Sequence, residues 1–317
     1  MIDIIIPAYN AHDTIEQTLF SIAVQDNVED INVYIIDDCS SSDYSDIVSF
    51  FSNLLNIKEI RLDKNSGPGV ARQVGIDNSK SPYIMFIDAD DVFSNCKAVC
   101  ELYKNIINDY DLVISNFAEE INNKLNTKQR DTVWLHGKMY RRSFLEKHSI
   151  KFNDTRSNED NAFNQLVLLC GAKVYYCDFV SYIWKENINN ITRKNNREYC
   201  FKSISSYIYN ISWALEEGKK RGVDVKKLAS LSLTALIAVY YYYLIYNDNP
   251  VSKDFIKESV ILKKYADFSV LSNDDINEIF KVQFDSFSTN INISLLLNPI
   301  ITFQDFVNKI GGKKWLI

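Results

Sequence analysis

Four short apolar runs alternate with segments of helical spacing inside the first ninety residues, and every run stops in acidic, Gly or Pro residues. Ile2 to Ile6 stops at Pro7-Ala8-Tyr9-Asn10, and Ile31 to Ile36 stops at Asp37-Asp38-Cys39. Ile57 to Leu62 stops at a loop ending in Gly67-Pro68-Gly69, and Tyr83 to Ile87 stops at Asp88-Ala89-Asp90-Asp91. Such alternation predicts right-handed βαβ units and a mostly parallel α/β sheet, Rossmann-like, with helices on both faces. Near-continuous apolar runs suit strands buried on both sides. Their ends then fall on one edge of the sheet, where open α/β folds place a ligand crevice. Tyr9, Asp38, Gly67 to Gly69 and Asp88 to Asp90 should converge there.

The connecting segments read as helices. Asp13 or Thr14 caps the first, with Ile15, Leu19, Ile22 and Ala23 on one face. A second carries Ile47, Phe50, Phe51, Leu54 and Leu55, and a third, Val70 to Ser79, turns Val70, Val74 and Ile76 inward. Asn95 to Asn108 is a further helix and Leu112 to Ser115 a further strand. Residues 116–131 are polar enough for a loop or hairpin. His136 to Leu145 opens a short basic helix. Asn158-Glu159-Asp160 leads into a helix over Ala162 to Leu169, and Val174 to Tyr176 and Val180 to Trp184 are closing strands. Lys185 to Arg197 has the composition of a mobile loop. Beyond it the pattern turns helical: one helix from about Glu198 stopped by Gly218 and Gly222, a second over Val225 to Tyr246, and a third around Phe255, Val260 and Ile261. A boundary near residue 195 separates a catalytic region, 1–195, from an α-helical C-terminal region, 196–317.

With 46% hydrophobic residues the chain can bury a large core, and a net charge of −6 argues against a general polyanion binder. Six cysteines lack C-x-x-C spacing and there are three histidines, so no zinc cluster is expected, and buried thiols in a reduced cytoplasmic compartment are the simplest account. Met1 leads straight into a strand-like run, so no signal peptide is expected. Leu231 to Tyr246 falls short of a spanning helix and is interrupted by Ser232 and Thr234. It reads as a buried helix, with Tyr240 to Tyr243 leaving a membrane-surface alternative open.

Asp88 and Asp90 are two apart and share a side on extended backbone. Two hard oxygen donors suit Mg²⁺ or Mn²⁺, and that ion suits a phosphorylated substrate. The plain alternative is an acidic turn with Asp91 capping the next helix. Tyr9 offers a base a ring to stack on, and Asp38 offers an acceptor for its N–H. Arg72 can reach a base carbonyl or a phosphate, and the Gly67-Pro68-Gly69 loop permits close backbone approach to an anion at a helix start.

The blocks Ile4-Ile-Ile-Pro-Ala-Tyr-Asn10, Ile35-Ile-Asp-Asp-Cys-Ser-Ser-Ser-Asp43, Asn65-Ser-Gly-Pro-Gly-Val-Ala-Arg72 with Gly75, and Ile87-Asp-Ala-Asp-Asp91 resemble the family 2 glycosyltransferases of GT-A fold in order and spacing. Gly137-Lys-Met-Tyr140 and Asn158-Glu-Asp160 with Phe163 extend the resemblance over residues 1 to 195. It implies an inverting, metal-dependent transfer from a nucleotide-sugar, a UDP-sugar, to a hydroxyl of a glycan or cell-wall polymer. By position, Pro7, Ala8, Tyr9 and Asp38 hold the base with Arg72 nearby, and Gly69 and Ala89 line the same site. Asp88 bonds the ribose or the metal shell, Asp90 ligates Mn²⁺ or Mg²⁺, and Asp160 is the general base with Glu159 its competitor. Thr192 and Arg193 fall in a segment that closes on the diphosphate in relatives, Arg193 as a phosphate contact, and His136 is an acceptor-site candidate.

Three alternatives stay open: a protein acceptor, a modified nucleic-acid base, which the chain's acidity disfavours, and a silent sugar-nucleotide-binding scaffold, disfavoured because Asp90 and Asp160 are both present. The C-terminal helices are expected to serve acceptor recognition, a homo-oligomer contact or a peripheral membrane contact at the inner face.

Overall fold

The structure, a computed structural model, describes residues 1–187, 197–245, 257–265, 267–287 and Phe303. The chain divides into two compact units, Met1–Lys194 and Asn195–Ile317.

The first unit is built on a nine-stranded sheet. Its strands are β1 (Ile2–Ala8), β2 (Ile31–Asp37), β3 (Asn56–Arg61), β4 (Tyr83–Phe86), β5 (Val92–Phe93), β6 (Leu112–Ile121), β7 (Lys124–Lys128), β8 (Lys138–Arg141) and β9 (Val174–Trp184). The order is β3-β2-β1-β4-β8-β6-β9-β5, with β7 hairpinned onto β6. The β3-β2-β1-β4 half is parallel, as the strand–helix alternation predicts. The other half is mixed: β8 runs antiparallel to β4 and β6, and β9 runs parallel to β6. The sheet is therefore mixed rather than mostly parallel.

β1 continues through Pro7 to Ala8 instead of stopping. β4 pairs only Ile2 to Ile5, so at Pro7 the missing N–H faces no neighbour on that side while Pro7 stays in register with Ile36. The basic segment after His136 is a strand, β8, before it is a helix, α5 (Arg142–Lys147). Its short Lys-Met-Tyr-Arg run is pulled into the sheet between two strands, and tertiary pairing overrides its helical composition. The two closing strands are one, β9, with register shifts against β6 at Ser115 to Phe117. Residues 116–131 form the hairpin option, β6–β7.

Besides α5, the helices of this unit include α1 (Ile15–Ala23), α2 (Ser45–Phe51), α3 (Pro68–Asn78), α4 (Ala98–Ile106) and α6 (Glu159–Leu169). Thr14 stands at the α1 N-cap but bonds no helix N–H; its hydroxyl donates to the Ala11 and Ala89 carbonyls at 3.2 and 2.9 Å. α2 ends at Phe51, which is buried, whereas Phe50 and Leu54 are exposed. The inward face of α3 is Ala71, Arg72, Gly75 and Ile76, not Val70 and Val74, because Gly75 is the residue that lies against β1. The core runs from Ile2, Ile4 and Ile6 through Val33, Ile35, Met85 and Val113 to Leu102 and Met139.

Gly75 lets α3 lie directly on β1: a Cβ there would overlap the Ile5 side chain. Ile5 is fully buried and cannot retreat. Gly75→Val is expected to cost about 1–3 kcal/mol by overpacking, read as a lower Tm in thermal unfolding. A variant as stable as the wild type would mean that the α3–β1 contact is looser than described.

In the second unit, α7 (Arg197–Lys220) passes through Gly218 and ends before Gly222, whose φ of +71° marks the turn. α8 (Val225–Ile245) buries Leu233, Leu236, Ile237, Tyr240 and Tyr241. It is long and apolar enough to cross a membrane by length and composition, and 61% of that window is buried within the protein. The Ser232 hydroxyl donates to the Leu262 carbonyl at 2.6 Å, tying α8 to a 3₁₀ helix, Val260–Tyr265, that continues α-helical residues 257–259 of the expected third helix, whose Phe255 lies outside the described residues. A last helix, α9 (Asn273–Phe287), places Phe280 5.1 Å from the ring of Phe303.

Candidate active site

The carboxyl ends of β1, β2 and β4 meet through side-chain bonds. Asp38 follows β2; its N–H donates to Ala8 O at 2.8 Å, and its carboxylate accepts from Ser66 N at 2.6 Å and Gly67 N at 2.8 Å. That carboxylate therefore fixes the loop before α3. Gly67, at φ +93°, is the α3 N-cap. Gly69 allows a close approach, but to protein: a Cβ would stand 2.8 Å from Asn153 O and 2.9 Å from Glu159 Cγ. Tyr9, just past β1, is 54% exposed, whereas the side chains of Ala8 and Ala89 are buried.

Arg72 joins the two halves of the site. Its Nη2 donates to Asp88 Oδ1 and its Nη1 to Glu159 Oε1, both at 2.7 Å. Burial alone would lower the Arg72 pKa, but Asp88 and Glu159 more than offset it and raise it. Arg72 thus bridges the two acids within the protein. Arg72 lies on the buried face of α3 between two acids, and only its Nε lacks a partner.

Glu159 and Asp160 occupy the first turn of α6 about 100° apart. Glu159 is buried against Arg72. Asp160 is only partly buried, and its Oδ1 accepts from Asn161 N at 2.7 Å. Burial, then the Glu159 charge, pushes the Asp160 carboxyl up to about 8, against the pull of Arg72. Among the described residues Asp160, unlike Glu159, makes no ion pair, and its carboxyl is held near neutrality, the condition a general base needs.

Three carboxylates cluster after β4. Burial would raise the Asp88 pKa, but Arg72 and His136 hold it below the usual range. Burial and the Asp88 charge raise Asp90, whose Oδ2 accepts from Asn187 Nδ2 at 2.9 Å. Asp91 caps no helix. It is fully buried, accepts from the Tyr182 hydroxyl at 2.6 Å and from Lys185 N at 2.8 Å, and is raised by burial and by Asp88 and Asp90. His136 Nε2 stands 3.9 Å from Asp88 Oδ2 and 4.0 Å from Asp91 Oδ2. Its ring is stacked on Tyr182 at 4.5 Å and beside Trp134 at 5.8 Å, and its buried Nδ1 has no partner.

These donors suit a hard divalent ion. Carboxylate oxygens dominate, two of the three acids are disfavoured as anions without one, and ligand atoms of Asp88, Asp91 and His136 lie within 4.8 Å of one another.

The pattern of Glycosyl transferase family 2 matches residues 3–158. These residues carry the family 2 glycosyltransferase pattern. The poly(ribitol-phosphate) β-N-acetylglucosaminyltransferase TarS of Staphylococcus aureus is 37% identical over 90 residues, which cover 28% of this chain and 16% of TarS. The chain thus spans less than a fifth of that relative's length. The putative glycosyltransferase EpsH of Bacillus subtilis is 22% identical over 244 residues, 69% of this chain and 70% of EpsH. Among solved structures, residues 1–349 of S. aureus TarS in complex with UDP-GlcNAc align with a TM-score of 0.65 at 18% identity over 92% of each chain. The mannosyltransferase of Pyrobaculum calidifontis, in complex with GDP-Man and Mn²⁺, aligns at 0.58 and 14% identity over 98% of this chain and 84% of its own. The structural likenesses fix the fold as GT-A.

Pro7, Tyr9, Asp38, Asp88 and Asp90 lie at strand ends within the matched residues, and Asp160 lies just past them at the start of α6, which Arg72 ties to Asp88 through Glu159. Arg193, with Thr192, lies outside the described residues, as does most of the expected loop over Lys185 to Arg197. The sequence did not signal the Arg72–Glu159 pair, the Asp90–Asn187 bond or the burial of Asp91. The second acid of Asp90-Asp91 was a visible clue, since a solvated turn has no need of a third carboxylate. His136 stood out only as a lone histidine; its aromatic stack comes from β9, some 46 residues on in the sequence, at Tyr182.

Proposed function

We propose that this chain transfers a sugar from a UDP-sugar to a hydroxyl of a cell-wall or surface polymer, with inversion at the anomeric carbon. The observation that carries the proposal is the division of labour in the first turn of α6: Glu159 is neutralised by Arg72, while Asp160 stays unpaired and holds its proton up to about 8. An inverting transfer needs one such carboxylate to take the acceptor hydroxyl's proton during a single in-line attack. A glycosidase would need two flanking ones.

In this reading Tyr9 and Asp38 hold the base, and Asp88 faces the ribose side of the diphosphate. Asp90, with Asp88 beside it, would hold Mn²⁺ or Mg²⁺. A divalent ion there supplies positive charge that offsets the charge developing on the leaving diphosphate. The donor and acceptor classes named for TarS make UDP-GlcNAc and a poly(ribitol phosphate) the first pair to try.

The test is a thermal-shift panel of UDP-, GDP-, CDP- and dTDP-sugars with and without Mn²⁺, since ligand stabilisation grows with concentration over Kd. UDP-sugars should raise Tm, and more so with Mn²⁺. Asp90→Ala should erase the Mn²⁺-dependent part of that shift and leave the metal-free part. If no nucleotide-sugar shifts the wild type, the donor assignment fails. If Asp90→Ala still responds to Mn²⁺, the ion is held elsewhere.

A further inference from the structure

Arg156, in the loop before α6, makes a two-pronged contact with Asn65. Its Nη1 donates to Asn65 Oδ1 at 2.6 Å and its Nη2 to the Asn65 backbone carbonyl at 2.9 Å. Its stem crosses Gly67, where a Cβ would stand 3.2 Å from Arg156 Cγ. No carboxylate pairs with Arg156 among the described residues.

A guanidinium has donors and no acceptor. It therefore fixes which end of the Asn65 amide is which: the carbonyl faces Arg156, and Nδ2 with its two hydrogens points to the opposite side. Turning the amide over would set NH₂ against the guanidinium. No described residue accepts from Nδ2. Asn65 directly precedes Ser66, whose N–H, together with that of Gly67, pins the Asp38 carboxylate at 2.6 and 2.8 Å. A committed donor thus lies on the short loop that begins beyond β3 and ends at α3, beside the N–H groups of that loop that hold the committed acceptor, the Asp38 carboxylate after β2.

We infer that Arg156 is a positioning residue for base specificity: by locking the Asn65 amide it completes a donor–acceptor pair that reads the imide edge of uracil. The N3–H of uracil donates to Asp38, and its O4 accepts from Asn65 Nδ2. Cytosine presents the reverse at both points, an unprotonated ring nitrogen to Asp38 and an amino group to Nδ2. Sites that bury such groups reject the analogue that leaves them unpaired. The inference rests on the nucleotide-sugar reading above and adds to it the residues that choose the base.

The experiment measures Kd for UDP and CDP by calorimetry with Mn²⁺ on the whole chain, for the wild type, Arg156→Ala and Arg156→Lys. The wild type should prefer UDP on the order of 10–100-fold. Arg156→Ala frees the amide to turn over, so the preference should fall to within about threefold, with the loss of UDP affinity partly matched by a gain for CDP. Arg156→Lys keeps the charge but loses the fork, and should relax the preference likewise. Equal loss for UDP and CDP in Arg156→Ala, restored by Lys, would make Arg156 a phosphate contact and overturn the inference. So would a wild type that binds both nucleotides equally, with the donor reading left intact. A wild type that binds neither removes the donor reading itself, and this inference with it. Arg156 is on the surface, so both variants should fold; an unchanged Tm without ligand checks it.

Discussion

Asp160→Asn should abolish sugar transfer while leaving the donor bound. A positioned general base contributes about 10²–10⁴ in rate, so kcat should fall by that factor while the Kd for the donor stays within about threefold. The wild-type rate should climb with pH as the Asp160 carboxylate forms and level off above about 8, the value to which burial and Glu159 push it. The same shift carries a stability consequence of defined sign. Between its ordinary range near 3.8 and about 8, the folded state holds a proton on Asp160 that the unfolded chain has released. Stability from this group therefore declines as pH rises through that window. Asn removes the ionisation, so the variant should gain Tm relative to the wild type at pH 8 and lose that advantage toward pH 4. An inactive but more stable variant is the pattern expected of a group whose environment is set for chemistry rather than for folding. Retained transfer would move the base to another group, and a pH–rate profile flat from 6 to 9 would remove Asp160 from the proton transfer even if the variant were slow.

The parallel half of the sheet was legible because its central strands are buried on both faces and so are nearly all apolar; Ile2 to Ile6 and Tyr83 to Phe86 announce themselves, while the edge strand β3 is half-exposed and mixed. The mixed half was less so. β5 has two residues, and β8 alternates Lys138, Met139, Tyr140 and Arg141 with the lysine fully buried. Lys138 is tolerated inside because its ammonium donates to Trp134 O near Asp131, and burial still lowers its pKa to about 8. No local pattern announces a buried lysine whose partners come from a neighbouring loop. The candidate site divides along the same line. Acids at strand ends follow from the impossibility of burying them within strands, which made Asp38, Asp88 and Asp90 findable. Pairings across 16 and 87 residues, such as those of Arg72, depend on which face of a helix turns inward, and that is set by the partners it packs on rather than by apolar spacing alone.

Arg72→Met should be the most destabilising single change at the site. Met fills comparable space on α3 but leaves Glu159, 5% exposed at its side chain, without a counter-ion. Removing one partner of a buried pair costs about 3–5 kcal/mol, because the remaining charge stays desolvated. Asp88 adds less, since its side chain is 37% exposed and water can take over. The expected outcome is a Tm lower by roughly 10 °C, partly recovered in the double variant Arg72→Met with Glu159→Gln, where the orphaned charge is gone. That recovery separates an internal bridge from a ligand contact, since a ligand contact would give no rescue in the absence of nucleotide. It also bears on Asp160: without Arg72 the pull that opposes burial and the Glu159 charge is lost, and the Asp160 carboxyl should be pushed up further. If instead Arg72→Met keeps the wild-type Tm and loses UDP binding, the guanidinium belongs to the donor, and the bridge to Glu159 is what it lets go when the nucleotide arrives.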